Sequence, residues 1–169
     1  FVSALVPLLV AIVNADRLRH LYGEALQYTP VVGQLYVWIS GFALFAFLIT
    51  LAREMVKDIE DIQGDCEMEC RTAAIVWGEK TTKMTVSAIL LITILLIAYL
   101  VYAVLPFPCD WQNLSTRYAI FGLMVPMLCA IVLLWSAKTP LEYRRTQLVI
   151  KFAMFLGVLY SFVIQQNLL

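Results

Sequence analysis

VSAILLITILLIAYLVYAVLPF, Val86–Phe107, decides the fold: twenty-two consecutive residues without one Asp, Glu, Lys, Arg or His. A helix rises about 1.5 Å per residue and a bilayer's hydrocarbon core is about 30 Å thick, so roughly 20 apolar residues cross it. Leu35–Leu51 and Tyr118–Ala137 repeat the pattern with no charged side chain. Leu148–Ile164 admits only Lys151, near its start, where a long side chain reaches the interface. Phe1–Val13 is apolar but short, and reads as a fifth span whose front lies before Phe1. Composition agrees: 62% of the 169 residues are hydrophobic and 14% charged, against roughly 45–50% and about 25% in ordinary globular chains. One water-soluble core does not hide that much apolar surface. The chain therefore reads as all-α: a polytopic transmembrane helix bundle with five spans, one membrane domain over 1–169.

Charge orients the bundle. The loop between the second and third spans carries Arg53, Lys57, Arg71, Lys80 and Lys83, and the connection between the last two carries Lys138, Arg144, Arg145 and Lys151. The opposite side holds only Arg17, Arg19 and Arg117. Nine against three places the first side in the cytoplasm by the positive-inside rule, and the C-terminus outside. Twelve basic and twelve acidic residues cancel, which argues against a nucleic-acid partner, since that needs a basic excess. His20 is the single histidine and excludes paired-histidine haem ligation within the chain. Cys66, Cys70, Cys109 and Cys129 form no CxxC pair. Pro7 and Pro126 fall inside spans, where neighbouring helices re-satisfy the freed carbonyls. Pro106 and Pro108 end the third span in a short outer loop, and Asn14–His20 reads as a solvated turn.

One segment breaks the apolar run: REMVKDIEDIQGD, Arg53–Asp65, directly after the second span. On a continued helix, at about 100° per residue, Glu54, Asp58, Asp61 and Asp65 fall within about 60° of one face, with Arg53 and Lys57 at its edge. Like charges three and four apart repel by a few tenths of a kcal/mol per pair. A hard divalent cation relieves that repulsion: Mg²⁺ takes carboxylate oxygens and completes its octahedron with water and substrate phosphate. Flanking cations suit the remaining phosphate oxygens. By spacing alone, a solvated acidic loop fits the same residues.

Asp58-Ile-Glu-Asp61-Ile-Gln-Gly64-Asp65, followed by Arg71-Thr72 and Gly78, resembles the second aspartate-rich motif of the UbiA superfamily of intramembrane prenyltransferases. The family's DxxxD corresponds to Asp61 and Asp65, with a leading aspartate at Asp58. The opening Arg53-Glu54-x-x-Lys57-Asp58 is most similar to the digeranylgeranylglyceryl phosphate synthase-like branch. The likeness is dense over Arg53–Lys83; elsewhere only the helix pattern agrees. Two departures stand out: Glu69 where the family often has glycine, and Ala73-Ala74 where it often has Leu-Pro. The resemblance implies a nine-helix fold in which the five spans are helices five to nine. The chain would then be the C-terminal part of a longer enzyme, inactive alone, with the first aspartate-rich motif outside it. It also implies Mg²⁺ on Asp61, Asp65 and Asp58 and substrate contacts from Arg53, Lys57, Arg71 and Thr72. The expected substrates are a prenyl diphosphate and a membrane-associated acceptor, either a prenylglyceryl phosphate or an aromatic quinone precursor.

A transporter or channel subunit is the competing class. Such proteins place ionisable groups inside their spans, whereas here the charges gather at the expected cytoplasmic rim. Tyr36, Trp38, Phe42, Phe45, Phe47, Tyr99 and Tyr102 read mainly as lipid-facing or interfacial rings, and Trp77 as an interface anchor. Glu142-Tyr-Arg144-Arg145 fits either the cavity mouth or plain topology signalling.

Overall fold

The computed structural model describes residues 31–104 and 113–168, and the side chains of 37–103 and 113–163. Among these residues there are helices and short turns and no strand. The elements are α1 (Val31–Glu60), α2 (Ile62–Glu67), α3 (Ala73–Trp77), α4 (Glu79–Tyr99), α5 (Leu114–Tyr118), α6 (Val125–Ser136) and α7 (Pro140–Leu168). A π-helical turn, Leu100–Val104, extends α4, and another, Ala119–Met124, joins α5 to α6. Four helical rods are long and apolar enough to cross a membrane: Val37–Glu60, Glu79–Ala103, Leu114–Ser136 and Pro140–Val163. The chain is thus a multi-pass membrane protein. The expected span Phe1–Val13, the turn around His20, and Pro106, Pro108 and Cys109 lie outside the described residues.

The rods begin earlier than the apolar runs that announce them. The run Val86–Phe107 belongs to a helix that starts at Glu79, Tyr118–Ala137 to one that starts at Leu114, and Leu148–Ile164 to one that starts at Pro140. Hydrocarbon forces backbone groups to pair within the helix, and the pairing continues through the polar turns beyond the hydrocarbon. Pro126 enters α6 immediately after the π-helical turn. An α-helical proline strikes the carbonyl four residues back, here that of Gly122, and the wider turn over Ala119–Met124 relieves this within the helix.

The chain divides into two compact units, Phe1–Thr50 and Leu51–Leu169. In the first, the described part is the opening of α1, where the Trp38 and Phe42 rings lie 6.4 Å apart. In the second, α6 and α7 form an antiparallel hairpin, with α4 against α6 and α5 against α7. Helix α7 buries Tyr143, Gln147, Ile150, Ala153 and Tyr160, and exposes Leu148, Phe152, Phe155, Val158 and Phe162. Both sets step by threes and fours or their sums, so one helix carries two stripes, an apolar one for lipid and one for protein that includes Gln147 among its apolar residues. On α4 the buried face carries Thr82, Lys83, Ser87 and Thr93, while Leu91, Ile92 and Leu95 are exposed. The hydroxyls satisfy themselves locally: Ser87 Oγ donates to the Lys83 carbonyl at 2.9 Å and Thr93 Oγ1 to that of Ile89 at 2.7 Å. Ala130 and Ala153 are fully buried on the paired helices, small residues of the kind that let membrane helices approach closely.

Candidate functional site

The acidic segment is helical, with one irregularity. Helix α1 runs to Glu60, Asp61 steps out of helical geometry (φ −93°, ψ 9°), and α2 resumes at Ile62. The four-residue ladder survives the step: Asp61 N–H donates to the Lys57 carbonyl and Asp65 N–H to that of Asp61, both at 2.9 Å. The carboxylates part company in exposure. Asp61 and Lys57 are exposed, while Asp58 and Asp65 are half-buried. Asp58 lies near enough to the Ala73 backbone at the start of α3, and to Asp65, Glu54 and Lys57, for each of them to act on its carboxylate. No group of three or more His, Cys, Asp or Glu is placed to hold a metal ion among the described residues.

The basic and hydroxyl candidates surround this turn unevenly. Arg53 pairs with Glu54 through one terminal nitrogen, and its buried Nε has no partner. Thr72 sits at the N-cap of α3 with an extended backbone; its carbonyl receives the N–H groups of Ile75 and Val76, and its Oγ1 is buried without a partner. Arg71, one residue earlier, is exposed. Two buried, unpaired polar atoms, one on either side of the acidic run in sequence, are unusual, because such groups normally find a partner.

The turn after the acidic segment is a Schellman motif. Cys70 N–H reaches the Asp65 carbonyl at 2.9 Å, Glu69 N–H reaches that of Cys66 at 3.3 Å, and Glu69 carries φ +54°. This left-handed position is the one helices usually fill with glycine, which gives physical meaning to the family's glycine near here. Gly78 occupies φ +82°, ψ 155°, a conformation essentially reserved for glycine. It lets the chain turn from α3 into α4, where Thr82 Oγ1 lies 3.0 Å from the Gly78 carbonyl and 3.3 Å from that of Ala73.

Sequence reasoning missed the groups that brace this end of the bundle. Lys83 is buried and donates to the Ala137 carbonyl and to Glu79 Oε1, both at 2.9 Å, with its Nζ 5.0 Å from the Tyr143 ring centroid. The Tyr143 hydroxyl lies 2.6 Å from Glu79 Oε1 and 3.0 Å from the Ala137 carbonyl. Glu79 and Lys83 were visible as an i,i+4 pair; Tyr143, 64 residues from Glu79, left no local signal. Gln147 Nε2 donates to Glu60 Oε2 at 2.6 Å. Glu142 turns back as a helix cap, its Oε2 accepting the N–H groups of Lys138 at 2.6 Å and Thr139 at 3.0 Å. Thr139-Pro140-Leu141-Glu142 thus carries the glutamate half of a capping box, with proline at N1, which accounts for that acidic residue.

A multi-span helical membrane protein carrying a braced, carboxylate-rich turn at one end of its helices is the class that fold and site define. Within that class, the chain is 31% identical over 128 residues to the digeranylgeranylglyceryl phosphate synthase of Methanosphaera stadtmanae, covering 75% of this chain and 42% of that protein. The enzymes of the same name from Thermococcus sibiricus (31% identity; 80% of this chain, 47% of theirs) and Methanopyrus kandleri (29%; 83% and 49%) align similarly. The chain is therefore a relative of the UbiA-type prenyltransferases, and it spans about half the length of these curated relatives. No family model and no solved structure matches it.

Proposed function

We propose that this chain forms part of a membrane prenyltransferase that moves a prenyl group from a prenyl diphosphate to a prenylglyceryl phosphate. The observation that carries this reading is the acidic turn Asp58–Asp65, flanked by Arg53, Lys57 and Thr72, in a chain aligned with synthases of that product class. Relatives named as synthases favour an enzyme over a transporter or channel, and the glycerophosphate acceptor over an aromatic quinone precursor.

The residues fit Mg²⁺ in donor chemistry. Mg²⁺ usually takes one or two carboxylates and fills its shell with water and phosphate oxygens, so half-buried Asp58 and Asp65, within each other's electrostatic reach, fit it without a three-carboxylate cage, and exposed Asp61 would join them through a bound water or the substrate. When bound, the ion would neutralise the diphosphate and ease its departure. Arg53 and Lys57 would hold the remaining phosphate oxygens, with Arg71 closing from the loop, and Thr72 Oγ1 would donate to one of them. The bond from the allylic carbon to the diphosphate oxygen breaks, and the diphosphate leaves with the electron pair. The acceptor's hydroxyl oxygen bonds to that carbon and loses its proton to solvent. Apolar walls around the prenyl chain keep water from the electron-poor carbon. The turn faces the cytoplasm in this reading.

The test uses the full-length protein in membranes, with a labelled prenyl diphosphate and a prenylglyceryl phosphate. Asp61→Asn and Asp65→Asn should each lower transfer at least about 100-fold, the scale of losing a group that stabilises developing charge. Wild-type turnover in both variants would remove the metal role from these residues.

A further inference from the structure

Glu60 and Gln147 stand apart from the groups assigned to substrate or metal, yet they make the closest polar contact between α1 and α7 in the second unit. Gln147 is buried, at 7% exposure, and donates to Glu60 at 2.6 Å across 87 residues of sequence. On a helix Glu60 lies about 160° round the axis from Asp58. A bond that pulls Glu60 onto α7 therefore turns Asp58 to the far side of the same turn. There Asp58 is half-buried. The Gln147–Glu60 hydrogen bond thus grips the last turn of α1 on the side away from Asp58 and restrains its rotation about its own axis. The four-residue hydrogen bonds run on through this turn, but the backbone departs from helical angles at Asp61, so the turn leans on its tertiary contact for its orientation.

We propose that Gln147 is a positioning residue that acts through Glu60 to set the azimuth of Asp58 and Asp61 at the diphosphate site; the catalytic side of this inference rests on the function proposed above. A neutral amide suits the task. It holds one carboxylate away from the aspartates without adding a cation that would compete with them for the metal.

Three variants of the full-length protein test the strut: Gln147→Met, which keeps length and loses the donor; Gln147→Glu, which sets two carboxylates against each other; and the exchange Glu60→Gln with Gln147→Glu, which reverses the bond. Hydrogen exchange over residues 56–66 should speed up about tenfold in the two single variants and return to near the wild-type rate in the exchanged pair, since a tenfold change corresponds to about 1.4 kcal/mol, the upper range for one hydrogen bond. The KM for prenyl diphosphate and the Mg²⁺ concentration for half-maximal rate should rise five- to tenfold in the single variants, with kcat changing less than twofold, and should recover in the exchanged pair. Unchanged exchange, or faster exchange without the KM shift, would overturn the proposal, as would a pair that fails to recover while remaining folded. A wild-type protein without prenyl transfer would remove the function instead, and the exchange measurement would still decide whether Gln147 sets the turn.

Discussion

Glu69 and Gly78 flank Arg71, Thr72 and α3 with two positive-φ backbone positions, one filled by a residue that suits it poorly and one by the residue that suits it best. A non-glycine side chain at φ +54° costs about 1–2 kcal/mol relative to ordinary helical geometry. Glu69→Gly should therefore stabilise the protein by about 0.5–1 kcal/mol after the added unfolded-state entropy of glycine is offset, measured as a higher midpoint of unfolding in denaturing detergent. Gly78→Ala should do the reverse and cost about 1–3 kcal/mol, although a Cβ there meets nothing within 4 Å. The strain lies in the backbone and not in crowding. Charge spacing made Asp58, Asp61 and Asp65 legible as a group because like charges at three and four residues leave a pattern whatever the surroundings. Their unequal exposure was not legible. It arises where Asp61 leaves helical geometry and the start of α3 comes near Asp58, and neither event has a local sequence cause.

Among the elements, α4 and α7 explain why spans were easy to find and their packing was not. Length and the absence of charge sufficed for the spans. Choosing the buried face needs a contrast between apolar and polar sides, and here the usual contrast fails: α4 hides Thr82, Lys83 and Ser87 beside Val86 and Leu90 while exposing Leu95, and α7 hides Thr146 and Gln147 beside Ile150 while exposing Leu148 and Phe152. Lys83 counted from sequence as a loop charge, yet it braces the α6–α7 turn through the Ala137 carbonyl. The brace is a network, so its parts should not add. Tyr143→Phe is expected to cost about 1 kcal/mol and Lys83→Met about 1–2 kcal/mol, while the double variant should lose less than the sum, because Glu79 and the Ala137 carbonyl are shared partners. Detergent unfolding of the four proteins gives the coupling directly, and strict additivity would dissolve the network.

At the scale of the whole molecule, topology decides from which side a water-borne ligand reaches the aspartate-rich turn, because only the side that the turn faces is open to it. The basic excess predicts the cytoplasmic side. Two native thiols report on it: Cys66 and Cys70 are exposed, one in α2 and one in the turn that follows it. A membrane-impermeant maleimide should label both in inside-out vesicles and neither in sealed right-side-out vesicles, with labelled peptides identified by mass spectrometry. Cys129 is also exposed, but on a membrane-spanning rod, where lipid shields it from a water-borne reagent, so it should stay unlabelled in both preparations. Labelling of Cys66 and Cys70 only from outside would invert the bundle. It would also leave the positive-inside count of nine against three without a structural consequence.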